Sequence, residues 1–346
     1  MKFSISSAIF MLSALTPALA ISNVRMLTWV VHPDDITDTT TVAATIAALN
    51  STVPYDSEMS YYSTYTEVSW AKRRLAISNE VLFNKVGIFS IQGAYSNQMA
   101  DMITLLGSQW KYAGVGRDNG VTSGEYVAVF YDSTLYSLTA SDVFWLTSTP
   151  YDVSKYSGAG SYRIATVARM KVIATGDKFV IISTHLDDIS NDSRVLSASL
   201  IRWRSSYEAY SGYGPVFLLG CLNSAPGSTS SDAYKIITGA ESMTTINSTF
   251  SANYANPIDY SFYYRDIMQA TPPERRGGHL SSVSGFNAEG VTTSFTRTTF
   301  AMGPSSGGWA PVRYRVGENF FDNGYHMSNH RPLYVDITID PNVNPV

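Results

Sequence analysis

The chain contains 346 residues, of which 45% are hydrophobic and 15% charged, and its formal net charge is −4. The hydrophobic fraction is large enough to bury a core, which excludes an intrinsically disordered chain. The negative charge argues against a general nucleic-acid binder, because such proteins draw most of their affinity from basic patches.

The first twenty residues have the three parts of a secretory signal peptide. Lys2 provides the basic end, residues 9–15 lie in a short apolar stretch, and residues 18–20 form a small-x-small cleavage site. We therefore expect a secreted, extracellular protein formed by residues 21–346.

The cysteine count and the glycosylation motifs are compatible with secretion. Cys221 is the only cysteine, so no disulfide can form within the chain, and a chain of this length does not need one. The N-glycosylation motif occurs at Asn50, Asn191 and Asn247.

The N-terminal third of this chain alternates strand-like and helical patterns. An apolar run predicts a buried strand over residues 25–31, and a Thr-, Ser- and Tyr-rich connection over residues 32–69 reads as an insertion. Helical spacing follows over residues 70–82, then a strand over residues 86–91 and a second helix over residues 97–106.

The remainder is richer in strands. Further strands are predicted over residues 126–131, 143–146, 164–172, 179–184, 216–219 and 333–337. Apolar residues recur at helical spacing over residues 194–210, with Ser193 as a candidate N-cap. Residues 248–290, rich in Tyr, Ser and Gly, are interpreted as a second insertion.

This order of elements favours one mixed α/β domain over residues 21–346. The helices interrupt the strands without strict alternation, which favours two sheets over a barrel of βα units. No linker-like segment divides the chain.

Four segments share one layout, in which a buried strand ends in polar residues. Side chains at strand ends can converge on a site while the strands hold them in place. These segments are residues 91–93, 184–188, 220–224 and 328–332.

On these segments the chain resembles the endonuclease/exonuclease/phosphatase superfamily, the DNase-I-like metal-dependent phosphoesterases. The matching motifs, in order, are VGIFSIQG, GVGRDNG…GEYVAVFY, FWLTSTP, STHLDD, GCLNSAPGS and SNHRPLYVDI. The resemblance implies a four-layer α-β-β-α sandwich of two mixed β-sheets.

The resemblance also implies a Mg²⁺ or Mn²⁺ centre, and the sequence departs from that pattern. Val30 stands at the position of the family's first-strand Asn, Gly93 at that of its Glu, and Cys221 and Asn329 at those of two Asp residues. In the late segment that carries another Asp in the family, Thr298 is the nearest counterpart. Hard cations need anionic oxygen ligands, so we expect no metal here and no cofactor.

Part of the family's polar set is retained. By resemblance, His185 and His330 would face the scissile phosphate and Asn223 would orient it, while Arg117 and Asp118 would lie in the substrate-side loop. The resulting hypothesis is a monomeric pseudoenzyme that binds an unidentified ligand or partner.

An active metal-dependent phosphoesterase or nuclease with a rearranged site is the alternative. It would use His185 and His330 together with Mg²⁺ or Mn²⁺, held by carboxylates that replace the lost ligands. The candidates are Asp118, Glu125, Asp187 and Asp188. Adjacent acids such as the last two more commonly mark solvated turns.

Two further possibilities concern other residues. Cys221 near His185 and His330 would suit thiol chemistry or Zn²⁺, although a buried cysteine that fills the space of the lost Asp is the simpler interpretation. The tyrosine-rich segments, including Tyr61, Tyr62 and residues 260–264, could instead bind carbohydrate by stacking.

Overall fold

The computed structural model of this protein describes residues 22–48, 67–256, 262–286, 296–320 and 326–340. The proposed signal peptide and the motif at Asn50 lie outside these ranges. Within them, no helix is both long and apolar enough to cross a membrane.

Seven strands form the first sheet, in the order β10-β12-β13-β1-β2-β4-β3. Their bounds are β1 Ser22–Val30, β2 Ile88–Ala94, β3 Trp110–Gly116, β4 Tyr126–Asp132, β10 Arg276–Gly278, β12 Trp309–Val316 and β13 Leu333–Ile339. The sheet is mixed, because β1 and β2 run parallel while β1 and β13 run antiparallel.

The second sheet contains six strands in the order β5-β6-β7-β8-β11-β9. Their bounds are β5 Tyr136–Trp145, β6 Ile164–Val172, β7 Lys178–His185, β8 Val216–Cys221, β9 Tyr264–Asp266 and β11 Thr299–Pro304. Here β7 and β8 form the parallel pair, and the other pairings are antiparallel.

Helices cover the outer faces of both sheets. Their bounds are α1 Val42–Ala48, α2 Trp70–Phe83, α3 Ser96–Leu106, α4 Asn191–Tyr210, α5 Asp232–Ile237, α6 Ser248–Asn253 and α7 Ile267–Ala270, with a 3₁₀ turn at Pro273–Arg275. Apolar residues of α2 and α3 pack on the first sheet, and those of α4, α5 and α6 on the second.

The inner faces of the two sheets pack against each other. Met26 and Ile88 of the first sheet share one buried cluster with Ile181 and Phe217 of the second. Alternation along each strand sends every second side chain inward, so the two sheets form one core between them. The predicted four-layer α-β-β-α sandwich is confirmed.

Two details differ from the sequence analysis. The long helix α4 begins at Asn191, where the Ser190 hydroxyl accepts a hydrogen bond from the Ser193 N–H, so Ser190 rather than Ser193 is the N-cap. Residues 248–290, interpreted as an insertion, contribute β9 to one sheet and β10 to the other. Within that segment, Phe262 is buried in the core and anchors the chain beside β9.

Candidate functional site

The parallel strand pairs of the two sheets end close together. Gln92, near the end of β2, donates through its amide to the Ser90 and Ser183 hydroxyls, which themselves form a hydrogen bond across the sheets at 2.7 Å. Because parallel strands place their carboxyl ends at one edge, the residues that follow β1, β2, β7 and β8 meet there. We call these residues, together with the adjacent His330, the strand-end site; its main members are Val30, Gly93, His185, Cys221, Asn223 and His330.

Val30 and Gly93, two of the positions at which the sequence departs from the family's metal-binding residues, lie side by side on the first sheet. Val30 is 4% exposed and pairs with Gln92 across β1 and β2. Gly93 has a φ of 78° at an irregularity between Gln92 and Ala94, and a Cβ placed on it would lie 3.4 Å from Val30 Cγ1. A side chain at Gly93 would therefore need a strained backbone and would meet an apolar wall.

On the second sheet, Cys221 is in register with His185 and is fully buried. Its Sγ donates to Asn223 Oδ1 at 3.3 Å, and the Asn223 amide donates to the Leu186 carbonyl at 2.8 Å. Asn223 has a φ of 45°, a conformation that asparagine tolerates better than most residues. Asn223 therefore fixes the turn after β8 as well as facing the site.

Burial raises the pKa of the Cys221 thiol, which opposes formation of a thiolate nucleophile or a zinc ligand. We predict that a thiol reagent such as DTNB leaves folded protein unmodified and modifies one thiol per chain in concentrated urea. Rapid modification of the folded protein would contradict the space-filling role and support thiol chemistry.

His330 lies on the side of Cys221 away from His185, next to the first residue of β11. Its Nδ1 is 3.3 Å from the Thr299 hydroxyl, and Thr299 pairs with Cys221 across β11 and β8. Asn329 turns its side-chain oxygen toward the Ser328 hydroxyl, from which it accepts at 3.3 Å. Within the described ranges a hydroxyl, and no carboxylate, contacts the His330 imidazole.

Both imidazoles are held in the neutral form at pH 7. Burial, together with a smaller effect of the nearby His32, lowers the pKa of His330 to about 4. Burial also lowers the pKa of His185 well below its usual value, and the positive charges of Arg163 and Arg117 add to that effect. The site therefore presents uncharged hydrogen-bonding rings.

The only carboxylate in the described residues that contacts a retained histidine of the site is Glu125, just before β4. Its Oε1 lies 2.8 Å from Arg117 Nη2, and its Oε2 lies 3.8 Å from His185 Nδ1. The same Oε2 would lie 3.9 Å from a Cβ on Gly93. Asp118 approaches Arg117 from the solvent side at 3.6 Å.

His32 joins the site although the sequence analysis did not select it. It follows the end of β1 with a φ of 64°, and its Nε2 lies 3.0 Å from Glu67 Oε1. The buried Arg73 guanidinium donates to the Val31 carbonyl and so holds this turn. The signal was available, because residues 25–31 form a buried strand that also ends in a polar residue.

No protein-family model matches the chain, and no curated protein sequence matches it. Among solved structures, it is similar to an endonuclease/exonuclease/phosphatase from Bacteroides vulgatus, with a TM-score of 0.68, 22% identity, and coverage of 92% of this chain and 100% of that one. A mannosyl-6-phosphatase from Bacteroides thetaiotaomicron gives 0.65 and 21% over 91% and 99%. The human nocturnin catalytic domain with bound sulfate gives 0.56 and 12% over 92% and 94%.

The chain has the endonuclease/exonuclease/phosphatase fold. Within that fold, the strand-end site occupies the place where the sequence resemblance puts the metal centre. The described residues contain no group of three or more His, Cys, Asp or Glu side chains arranged to hold a metal ion. Mg²⁺ loses its hydration water reluctantly and is held mainly through carboxylates, and among the described residues of this site only Glu125 offers one, so the protein residues alone fit it poorly.

Two acids proposed as replacement ligands have other partners. Asp187 is fully buried, and its carboxylate accepts from four backbone N–H groups and from Arg163 Nε. Asp188 is 61% exposed and lies 2.6 Å from Arg163 Nη2. The interpretation of both as a solvated turn is therefore wrong for Asp187, which organises the loop before α4.

The structure also describes some of the tyrosines proposed for stacking and of the asparagines proposed for glycosylation. Tyr264 is buried in the core, with its hydroxyl bonded to Ser205, so it offers no stacking surface. Tyr61, Tyr62 and Tyr260 lie outside the described residues. The glycosylation candidates Asn191 and Asn247 lie at the starts of α4 and α6, where their side-chain amides donate to Asp232 and to the Ser148 carbonyl.

Proposed function

We propose that this chain is a secreted pseudoenzyme with the endonuclease/exonuclease/phosphatase fold, which binds a ligand through the strand-end site. The observation that carries the proposal is that Val30, Gly93, Cys221 and Asn329 stand where the resemblance places an Asn, a Glu and two Asp residues, so that three anionic ligands are lost. Each is uncharged, and Val30 and Cys221 are buried. Loss of this charge removes the attraction for a hard cation and leaves the hydrogen-bonding groups.

The remaining polar groups favour a neutral ligand that both donates and accepts hydrogen bonds over a strongly anionic ligand that requires positive charge in the protein. The two imidazoles are neutral, and Arg117 is already paired with Glu125. His185, Asn223, Glu125 and His330 are each partly exposed, so a ligand reaching the strand ends can contact them. An oligosaccharide or another hydroxyl-rich molecule has the matching chemistry.

The alternative of a rearranged phosphoesterase is supported by Glu125 alone. Its carboxylate is next to His185 and near the space above Gly93. A single carboxylate can hold Mg²⁺ only when phosphate oxygens of the substrate and water complete its coordination, so this alternative depends on the substrate.

Phosphoester turnover by the purified protein separates these two functions. We expect turnover below ~10⁻³ s⁻¹, against the ~10 s⁻¹ typical of enzymes. The substrates are plasmid DNA, RNA, a chromogenic diester and mannose 6-phosphate, the last because one solved relative is named for a mannosyl-6-phosphatase activity. Each is assayed with EDTA, Mg²⁺, Mn²⁺ or Zn²⁺.

His330→Ala is the matched control, because it removes a retained ring without adding or removing a carboxylate. Equal background in wild type and His330→Ala under every metal supports the pseudoenzyme. Turnover that EDTA and His330→Ala both abolish would overturn it, and loss of that turnover in Glu125→Gln would assign the remaining ligand.

A further inference from the structure

A cavity of about 220 Å³ opens on the outer face of the seven-stranded sheet, where β1, β12 and β13 lie side by side. Its lining includes Arg25, Arg313, Arg315 and Asp336. We call it the arginine pocket. Arg25 precedes Val30 by five residues, or ~16 Å along an extended strand, so the pocket is separate from the strand-end site.

Strand register places these charged groups on one surface. Asp336 pairs with Arg25 across β1 and with Arg313 across β12, so the three form a row across the sheet. Arg315 is two residues from Arg313 on the same strand and therefore projects from the same face, ~7 Å away. This spacing lets two guanidinium groups reach opposite sides of one small anion.

The carboxylate of Asp336 is already used. Arg25 holds it with two hydrogen bonds, from Nε to Oδ1 at 2.6 Å and from Nη2 to Oδ2 at 2.8 Å. Arg25 Nη1 donates to the Asn84 carbonyl, which fixes the guanidinium at the pocket wall. The other acid nearby, Glu80, accepts from the Tyr334 hydroxyl and the Asn84 amide.

Arg313 and Arg315 remain without such partners. Both are exposed, and neither has an ion pair or a side-chain hydrogen bond to any residue in the described part of the chain. Two guanidinium groups on one face repel each other unless an anion lies between them. The pocket therefore carries two guanidinium groups whose charge no side chain in the described ranges neutralises.

We infer that the arginine pocket binds a tetrahedral oxyanion, the phosphate or sulfate group of an ester. Planar guanidinium forks match the oxygens of such a group with paired hydrogen bonds. The volume exceeds what a few water molecules need, so it accommodates the group together with part of the molecule that carries it.

Isothermal calorimetry with sodium phosphate or sodium sulfate, against sodium chloride at equal ionic strength, tests the inference. We expect wild-type dissociation constants in the ~1 mM range and about tenfold weaker binding in Arg313→Gln and in Arg315→Gln. Lys111→Gln is the matched control, because it removes one exposed positive charge from β3 at the other edge of the same sheet. Its affinity should equal that of wild type.

A gain of affinity provides a second test. Asp336→Asn removes the one carboxylate in the row and should tighten binding, because Arg25 then also faces the anion. Binding of phosphate alone or of sulfate alone supports the inference and identifies the ester. The absence of binding by either anion would overturn it, as would equal affinity in wild type and both arginine variants. Loss of binding in His185→Ala but not in Arg313→Gln would place the anion at the strand-end site and overturn it too.

Discussion

Asp187→Asn is expected to lower the free energy of unfolding by about 3–5 kcal/mol, because it disrupts a buried and fully paired carboxylate. The carboxylate accepts from the N–H groups of Gly160, Ser161, Ile189 and Ser190 as well as from Arg163. An asparagine keeps one oxygen and turns an N–H₂ group toward these donors. It also leaves the Arg163 guanidinium without its buried counter-charge.

Asp188→Asn is the matched control. It removes the same charge from the next residue, and its partner is the same arginine, but the Asp188 side chain is 61% exposed. Exposed ion pairs contribute little, so we expect a loss of about 1 kcal/mol or less. Urea denaturation of wild type and both variants at pH 7 measures the difference.

The same experiment with Mg²⁺ distinguishes a structural Asp187 from a metal ligand. Although burial alone would raise the pKa of Asp187, hydrogen bonds from Ser190 and Gly160 and the charge of Arg163 lower it, so the carboxylate is ionised and already satisfied. We expect Mg²⁺ to leave the stability of wild type unchanged. A stabilisation by Mg²⁺ that Asp187→Asn abolishes would contradict this and favour the rearranged phosphoesterase.

Much of the fold was accessible from the sequence because its cues are local. The apolar run over residues 25–31 became β1, and the helical spacing over residues 97–106 became α3. The start of α4 was misplaced because Ser190 and Ser193 are equally good caps in isolation, and only the chain's turn at Asp187 selects the first. Short edge strands such as β9 escaped because three residues carry no periodicity.

The sequence predicts the parts of the site that lie at strand ends. It does not predict contacts between segments that are far apart in the chain. Register alone brings His185 next to Cys221. The role of Asp187 depends on Gly160 and Arg163, which lie more than twenty residues earlier in the chain, and nothing in the sequence around Asp187 marks those partners. The arginine pocket likewise depends on β1 and β12, nearly three hundred residues apart, pairing with the same strand.

Acid is expected to destabilise the protein through the strand-end histidines. The pKa of His330 is lowered to about 4 by burial, whereas an unfolded chain protonates histidine near ~6.5. Between these values the unfolded state binds a proton that the folded state does not, so stability is complete above ~6.5 and falls as the pH drops. His330 alone accounts for a loss of about 3 kcal/mol by pH 4.

His330→Gln isolates this contribution, because glutamine cannot be protonated and keeps a polar group at the position. Urea denaturation between pH 7 and pH 4 should show the stability of the variant rising relative to wild type by about 3 kcal/mol as the pH falls. His185→Gln should likewise gain stability relative to wild type as the pH falls, since burial also lowers the pKa of His185. Identical pH profiles for wild type and both variants would show that the rings are not held neutral.

The same titration bears on the choice between the two proposed functions. A histidine that donates a proton to the leaving oxygen of a phosphate ester must be protonated when it acts. With its pKa near 4, His330 is neutral at pH 7, and the pKa of His185 is lowered as well. A rearranged phosphoesterase that used these rings as acids would therefore gain activity as the pH falls, in the range where the histidines destabilise the fold. A ligand that exchanges hydrogen bonds with neutral imidazoles needs no such condition.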